Sequence, residues 1–181
     1  MKELVQKVIN KVYIEQDYDY FRLKCKQGIQ LTEEFYNLLA TLPRYIEMGP
    51  SDVSPSKEWY VYFDKVAKEK FILKYNTVIK ISKIAQVYYV QHEFEVENQD
   101  ENRMGPVLDG YSGEAYCRQQ FDFHERIRQC MISNGFIELS YAEMNEVIFA
   151  LSMPKGRTIF GSQMTVETAL FRDVFEICPD E

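Results

Sequence analysis

The stretch FILKYNTVIKISKIAQVYYVQHEFEVE, residues 71–97, decides how this chain folds. Phe71, Leu73, Tyr75, Ile79 and Ile81 occupy alternate positions and Lys74 and Lys80 fall on the other parity, the pattern of a strand with one face toward a core. Further on, Ile84, Tyr88, Val90, His92, Phe94 and Val96 share one face of a long strand while Glu93, Glu95 and Glu97 line the other. The two segments read as an antiparallel hairpin turning at Ser82-Lys83. That register sets Phe71 against Phe94 and Leu73 against His92, with Lys70 against Glu95 on the opposite side. Both parities agree with one register, and a slip by a single residue would carry the glutamates into the core.

Toward the N-terminus, Trp59 to Phe63 reads as a further strand, preceded by a Gly-, Pro- and Ser-rich loop over residues 49–56. Before the loop lie two helical patterns. Leu4, Val5, Val8, Ile9 and Val12 recur at helical spacing, and Phe35, Leu38, Leu39 and Leu42 follow at i, i+3, i+4 and i+7. Thr32 stands where an N-cap is needed, Leu31 and Tyr36 where a hydrophobic staple forms, and Pro43 cannot continue the helix. Residues 13–27 fit either a continuing helix or a short strand.

Toward the C-terminus, residues 98–109 form a polar loop. Ser112 can cap a helix with the stripe Tyr116, Gln120, Phe123, Ile127 and Met131, stopped by Asn134-Gly135. After the strand-like Phe136 to Leu139, Ser140 and Glu143 form a capping box, with Leu139 and Met144 placed as its staple. A last helix starts near Thr165, with Val166, Leu170, Val174 and Ile177 on one side. Helices, then strands, then helices describe an α+β domain over residues 1–181, its antiparallel hairpin and meander packed on one face by the N- and C-terminal helices.

Composition narrows the function. The chain has 181 residues, 46% of them hydrophobic, and a net charge of −7, which opposes attraction to phosphate backbones and makes nucleic acid a poor partner. No apolar run approaches the roughly 18 residues of a membrane span, and Met1 to Lys7 lacks the apolar centre of a secretory signal, so a cytoplasmic protein is expected. Four cysteines, Cys25, Cys117, Cys130 and Cys178, show no C-x-x-C spacing and read as reduced, buried thiols. Charge is segregated: residues 57–83 hold seven Lys against three acids, and residues 93–109 hold six acids against Arg103 alone. Such runs are commonly just solvated faces. As a functional feature, Glu93, Glu95, Glu97, Asp100, Glu101 and Asp109 form an acidic docking surface for a basic protein.

Reaction chemistry has little support. With His92 and His124 as the only histidines, a multi-histidine metal site is not expected, and His124-Glu125-Arg126-Ile127-Arg128 lacks the second His of a zincin helix. Gly110-Tyr111-Ser112-Gly113-Glu114 misses the nucleophile-elbow spacing, and phosphate-binding glycine loops are absent. Glu93 and Glu95 are same-face neighbours about 7 Å apart by strand rise, a spacing open to glycosidase chemistry but ordinary for an exposed strand opposite lysines. Tyr60 and Tyr62 form either an aromatic interface patch or a face lying under a helix.

The acidic segment 93–109 and the closing Thr165-Val166-Glu167-Thr168-Ala169-Leu170-Phe171-Arg172-Asp173-Val174-Phe175, with the size and acidity of the chain, resemble the small immunity proteins of bacterial contact-dependent and polymorphic toxin systems. The resemblance implies a cytoplasmic protein that binds one cognate toxin domain and blocks its active site; no cofactor is expected. A toxin that attacks nucleic acid tends to be basic, and an acidic inhibitor gains steered association with it. The competing readings are a small hydrolase using carboxylates, or Cys25 with a histidine brought near by folding, and a phage or regulatory adaptor acting through aromatic surface.

Overall fold

The computed structural model describes residues 1–48, 54–100, 102, 108–156 and 161–179. Helix α1 (Glu3–Ile9) runs into a π-helical turn at Asn10–Ile14, followed by α2 (Tyr18–Lys26) and α3 (Glu33–Ala40). Residues 13–27, open between helix and strand on pattern alone, are thus helical in two pieces. Asp17 makes the break a helix start by accepting a hydrogen bond from the Tyr20 N–H at 2.9 Å. Thr32 holds the N-cap position of α3, but its hydroxyl is turned to the Cys130 thiol at 3.6 Å, and no side-chain cap forms.

The strands β1 (Arg44–Met48), β2 (Ser56–Tyr62), β4 (Phe71–Ser82), β5 (Val87–Asn98) and β6 (Leu108–Ser112) build an antiparallel sheet in the order β1-β2-β4-β5-β6. The short β3 (Val66–Lys68) pairs with β4, and β7 (Ile137–Glu138) joins β5 in parallel. The expected loop 49–56 lies largely outside the described residues, and its last residue, Ser56, already begins β2.

The hairpin β4–β5 forms with the expected faces but not the expected register. Phe71 pairs with Asn98, Leu73 with Val96, Tyr75 with Phe94 and Thr77 with His92. The strands are displaced by four residues because Lys83 to Gln86 form a wide turn, in which the Ser82 hydroxyl accepts from the Ile84 and Ala85 N–H groups. An even displacement leaves the side chains within the two strands on their own faces, but Ile84, expected beside Tyr88 and Val90, lies in the turn and packs with Val87 and Tyr89 instead. The partner of Glu95 is Lys74, not Lys70.

Two further expectations are corrected. Ser112 ends β6 rather than capping a helix, and its hydroxyl accepts from the Glu114 N–H in a turn. Helix α4 (Arg118–Ser133) starts later, after Cys117, and stops at Asn134 with Gly135 at a φ of +77°, where glycine carries no Cβ penalty. Ser140 and Glu143 do form the capping box of α5 (Tyr141–Met144). The hairpin of β8 (Val147–Ser152) and β9 (Gln163–Thr165) was not visible in the pattern. Helix α6 (Val166–Phe171), capped by Thr165 and Thr168, ends at Phe171, so Val174 and Ile177 lie in a tail beyond it.

Helices cover the sheet on both faces, not one. On one face, Trp59, Val61, Ile79, Ile81, Tyr88 and Val90 pack against Phe35, Leu38 and Leu39 of α3 and Phe123, Ile127 and Met131 of α4. On the other, Val87 and Tyr89 join Val5, Ile9 and Val12, Phe21 of α2, and Val166, Ala169 and Leu170 of α6. Strand β5 is therefore common to both cores, Tyr88 and Val90 pointing one way and Val87 and Tyr89 the other.

Candidate functional site

The cover on the second face extends from its Val87 end to Val78, which lies opposite Gln91 and is buried. Farther along β5 the residues of that face, Gln91, Glu93, Glu95 and Glu97, belong to neither apolar cluster, and neither do Lys74 and Asn76 of β4 nor Tyr60 and Tyr62 of β2. All are half-buried. Across β6, Asp109 sits opposite Glu95 and Tyr111 opposite Glu93, both exposed. The tyrosines of β2 and the glutamates of β5 thus share one open sheet face. Burial and then the Glu58 and Glu93 carboxylates push the Tyr60 hydroxyl above its ordinary pKa.

The segregated charges of the sequence meet here. Lys74 Nζ lies 2.5 Å from Glu95 and 2.8 Å from Glu97, and Lys70 lies 3.1 Å from Asp100. The Lys74 hydrogen bond holds the Glu97 carboxyl below its usual range, and the Asn102 N–H and then Lys70 do the same for Asp100. Lysines of β4 and acids of β5 are therefore cross-strand partners, and part of the expected acidic surface is neutralised by the chain itself. Glu101 lies outside the described residues. Glu93 takes a hydrogen bond from Gln91 at 2.8 Å, and neither Glu93 nor Asp109 has an ion pair among the described residues. These two carboxylates and Glu95, with Asn76, Tyr111 and Phe94, line a hollow of about 310 Å³.

Gly110, in the β6 wall of that hollow, leaves room on the other face of the sheet. It faces Phe94 across β5–β6, and a Cβ on it would come within 2.6 Å of the phenyl ring, which Tyr116 backs at a centroid distance of 4.6 Å. With no side chain there, the ring lies over the β6 backbone. Tyr111 also reaches Tyr141, whose hydroxyl it raises above the ordinary pKa by hydrogen bonding.

The two histidines meet each other on the opposite, covered face. The Thr77 hydroxyl lies 2.8 Å from His92 Nδ1, His92 Nε2 lies 2.9 Å from His124 Nδ1, and His124 Nε2 lies 2.7 Å from Glu138 Oε1. Tyr88 and Arg128 each donate to Glu138 Oε2 at 3.0 Å. One arrangement of protons that fits these distances has Thr77 donating to His92, His92 to His124, and His124 to an ionised Glu138. Burial pushes Glu138 up, but the hydrogen bonds from His124, Arg128 and Tyr88 outweigh it and hold the carboxyl at about 2. Burial, and then His124, push His92 down to about 4.

Thr77 and His92 are fully buried, so this chain of bonds serves the join between α4 and the sheet. Gln120 does similar work one turn earlier, donating to the Asn76 carbonyl at 2.7 Å and the Glu93 carbonyl at 3.0 Å. Periodicity placed His92 on the core-facing side of its strand and His124 beside the α4 stripe. Their meeting would have followed from laying the α4 stripe on the His92 face. Cys25 is brought to Cys178, not to a histidine.

Comparison of the sequence with protein-family models and with curated proteins, and of the fold with solved structures, gives no match.

Proposed function

We propose that this chain is a protein-binding domain whose open sheet face receives a basic partner, and that it acts as an immunity protein by covering the active site of a nuclease-type toxin domain. The observation that carries the reading is the hollow on β5 and β6. There Glu95 and Asp109 oppose one another directly across the strands with Glu93 beside them, an arrangement of like charges that costs stability unless a cation approaches. Lys74 reaches Glu95 from the β4 side, leaving Glu93 and Asp109 to an incoming lysine or arginine. Tyr60, Tyr62 and Tyr111 on the same face supply the aromatic contact area that protein interfaces favour. A net charge of −7 steers such a partner in and sets a negative surface where it would otherwise hold nucleic-acid phosphates.

The test is to ask whether a gene beside this one encodes a protein with a basic C-terminal toxin domain, and to reconstitute the chain with that domain. The expected result is a stoichiometric complex that abolishes the nuclease activity and associates more slowly as salt rises. The double variant Glu93→Gln/Asp109→Asn is expected to slow association at least tenfold with unchanged circular dichroism. Glu97→Gln, whose carboxylate is committed to Lys74, changes the rate about twofold or less. Equal effects of the two, or association indifferent to salt, would remove the hollow as the docking point.

A further inference from the structure

The sulfur atoms of Cys25 and Cys178 lie 3.0 Å apart, although 153 residues separate them in sequence. Both are free thiols, Cys25 fully buried in the last turn of α2 and Cys178 half-buried in the tail beyond α6. Their backbones are held independently of the sulfur contact. The Asp173 carboxylate accepts from the Ile177 N–H at 2.8 Å and the Cys178 N–H at 2.7 Å, and Arg22 of α2 donates to the Ile177 carbonyl at 3.2 Å. On the other side, Lys83 Nζ donates to the Cys25 carbonyl at 2.8 Å. Phe175 packs on Tyr13, whose hydroxyl reaches the Ala169 carbonyl at 2.7 Å. The two side chains are therefore presented to each other by a frame that would persist if a covalent bond replaced the contact. Cys117 and Cys130 have no such arrangement: Cys117 precedes α4, and Cys130 lies in the other core against Thr32.

We propose that Cys25 and Cys178 are a redox-modification site, converted by a low-molecular-weight disulfide of the glutathione type into an intramolecular disulfide that fastens the C-terminal tail to α2. The reaction runs by thiol–disulfide exchange. The more accessible Cys178 loses its proton and attacks one sulfur of the reagent. The reagent's S–S bond breaks, and the departing thiolate takes up the proton. Cys25 then attacks the Cys178 sulfur of the mixed disulfide, expelling the second thiolate, which is protonated in turn. Two protein thiols are oxidised and one small disulfide is reduced to two thiols. The hydrogen bond to Cys25 and then burial push the Cys178 thiol well above its ordinary pKa, so little thiolate is present and the first step is slow.

The experiment equilibrates the folded full chain with mixtures of oxidised and reduced glutathione, followed by acid quench, alkylation and peptide mapping by mass spectrometry. Two of the four thiols should disappear together in a single linked peptide pair containing Cys25 and Cys178. The midpoint of thermal unfolding should rise by about 5–10 °C and return after reduction. Cys178→Ser should leave Cys25 unmodified and remove the oxidant's effect on the midpoint. This variant is preferred because Cys25 is fully buried and its replacement threatens folding. A glutathione adduct persisting on Cys178, linkage to Cys117 or Cys130, formation only in denaturant, or four thiols still alkylatable would each overturn the proposal.

Discussion

His92 shows how one residue couples burial to pH. Its folded-state pKa of about 4 lies below the ordinary 6.5, so between these values the unfolded chain binds the proton and the folded chain does not. The contribution to stability is complete above pH 6.5 and is lost as pH falls toward 4. Lowering the pH from 7.5 to 5 should therefore cost about 2 kcal/mol in urea unfolding through this residue. His92→Gln should flatten the difference between the two pH values, whatever it does to stability at either. Glu138, held at about 2 against an ordinary 4.5, acts in a lower window and is still ionised at pH 5. An unchanged difference in the variant would mean that His92 is solvated in the folded state. From sequence, the parity of His92 announced a core histidine, but Thr77 and Glu138 were invisible as its support, because the first was one of several polar residues on β4 and the second closes the chain of bonds only once β7 joins β5 in parallel.

At the scale of elements, the hairpin β4–β5 was legible in its faces and misjudged in its register. Period two fixes which side a residue points to, whereas the partner depends on the turn, and Lys83 to Gln86 contain no Gly or Asn-Gly to mark where the hairpin turns or how long its loop is. The same limit explains β6. Leu108 to Ser112 are too few and too polar to show alternation, and only the preceding strand gives them a partner. The hydrophobic stripes of α3 and α4 were read because helical packing repeats the signal over several turns. The register matters for function because it gives Lys74, not Lys70, to Glu95. Lys74→Gln should then release Glu95 and Glu97, with little change in stability because the pairs are solvent-screened, while raising the association rate with the proposed basic partner about threefold. Stopped-flow association at low salt, set beside urea unfolding of the same variant, reads the two effects separately. A slower association would show that Lys74 itself contacts the partner.

For the whole molecule, the α+β class followed from the order of patterns, but the distribution of helices over both faces did not. Val87, Tyr88, Tyr89 and Val90 form a continuous apolar run in which each residue points oppositely to the next, and such a run signals a strand buried on both sides. Because β5 walls both cores, neither can lose its packing without stripping one side of the same strand. The chain should therefore unfold in one step, and two native probes report on the two cores. Trp59, the single tryptophan, is fully buried against Phe35, while Cys25 is fully buried in the other cluster. Trp59 fluorescence and the reactivity of Cys25, measured through urea unfolding in the Cys178→Ser background, should give coincident midpoints. Ile9→Ala opens a cavity in the Cys25 core and should lower stability by about 2–5 kcal/mol. The shift should appear equally in the Trp59 signal, although Ile9 and Trp59 belong to different clusters. If the variant moved the Cys25 transition and left Trp59 in place, the two cores would be separate cooperative units, and the shared strand would not couple them.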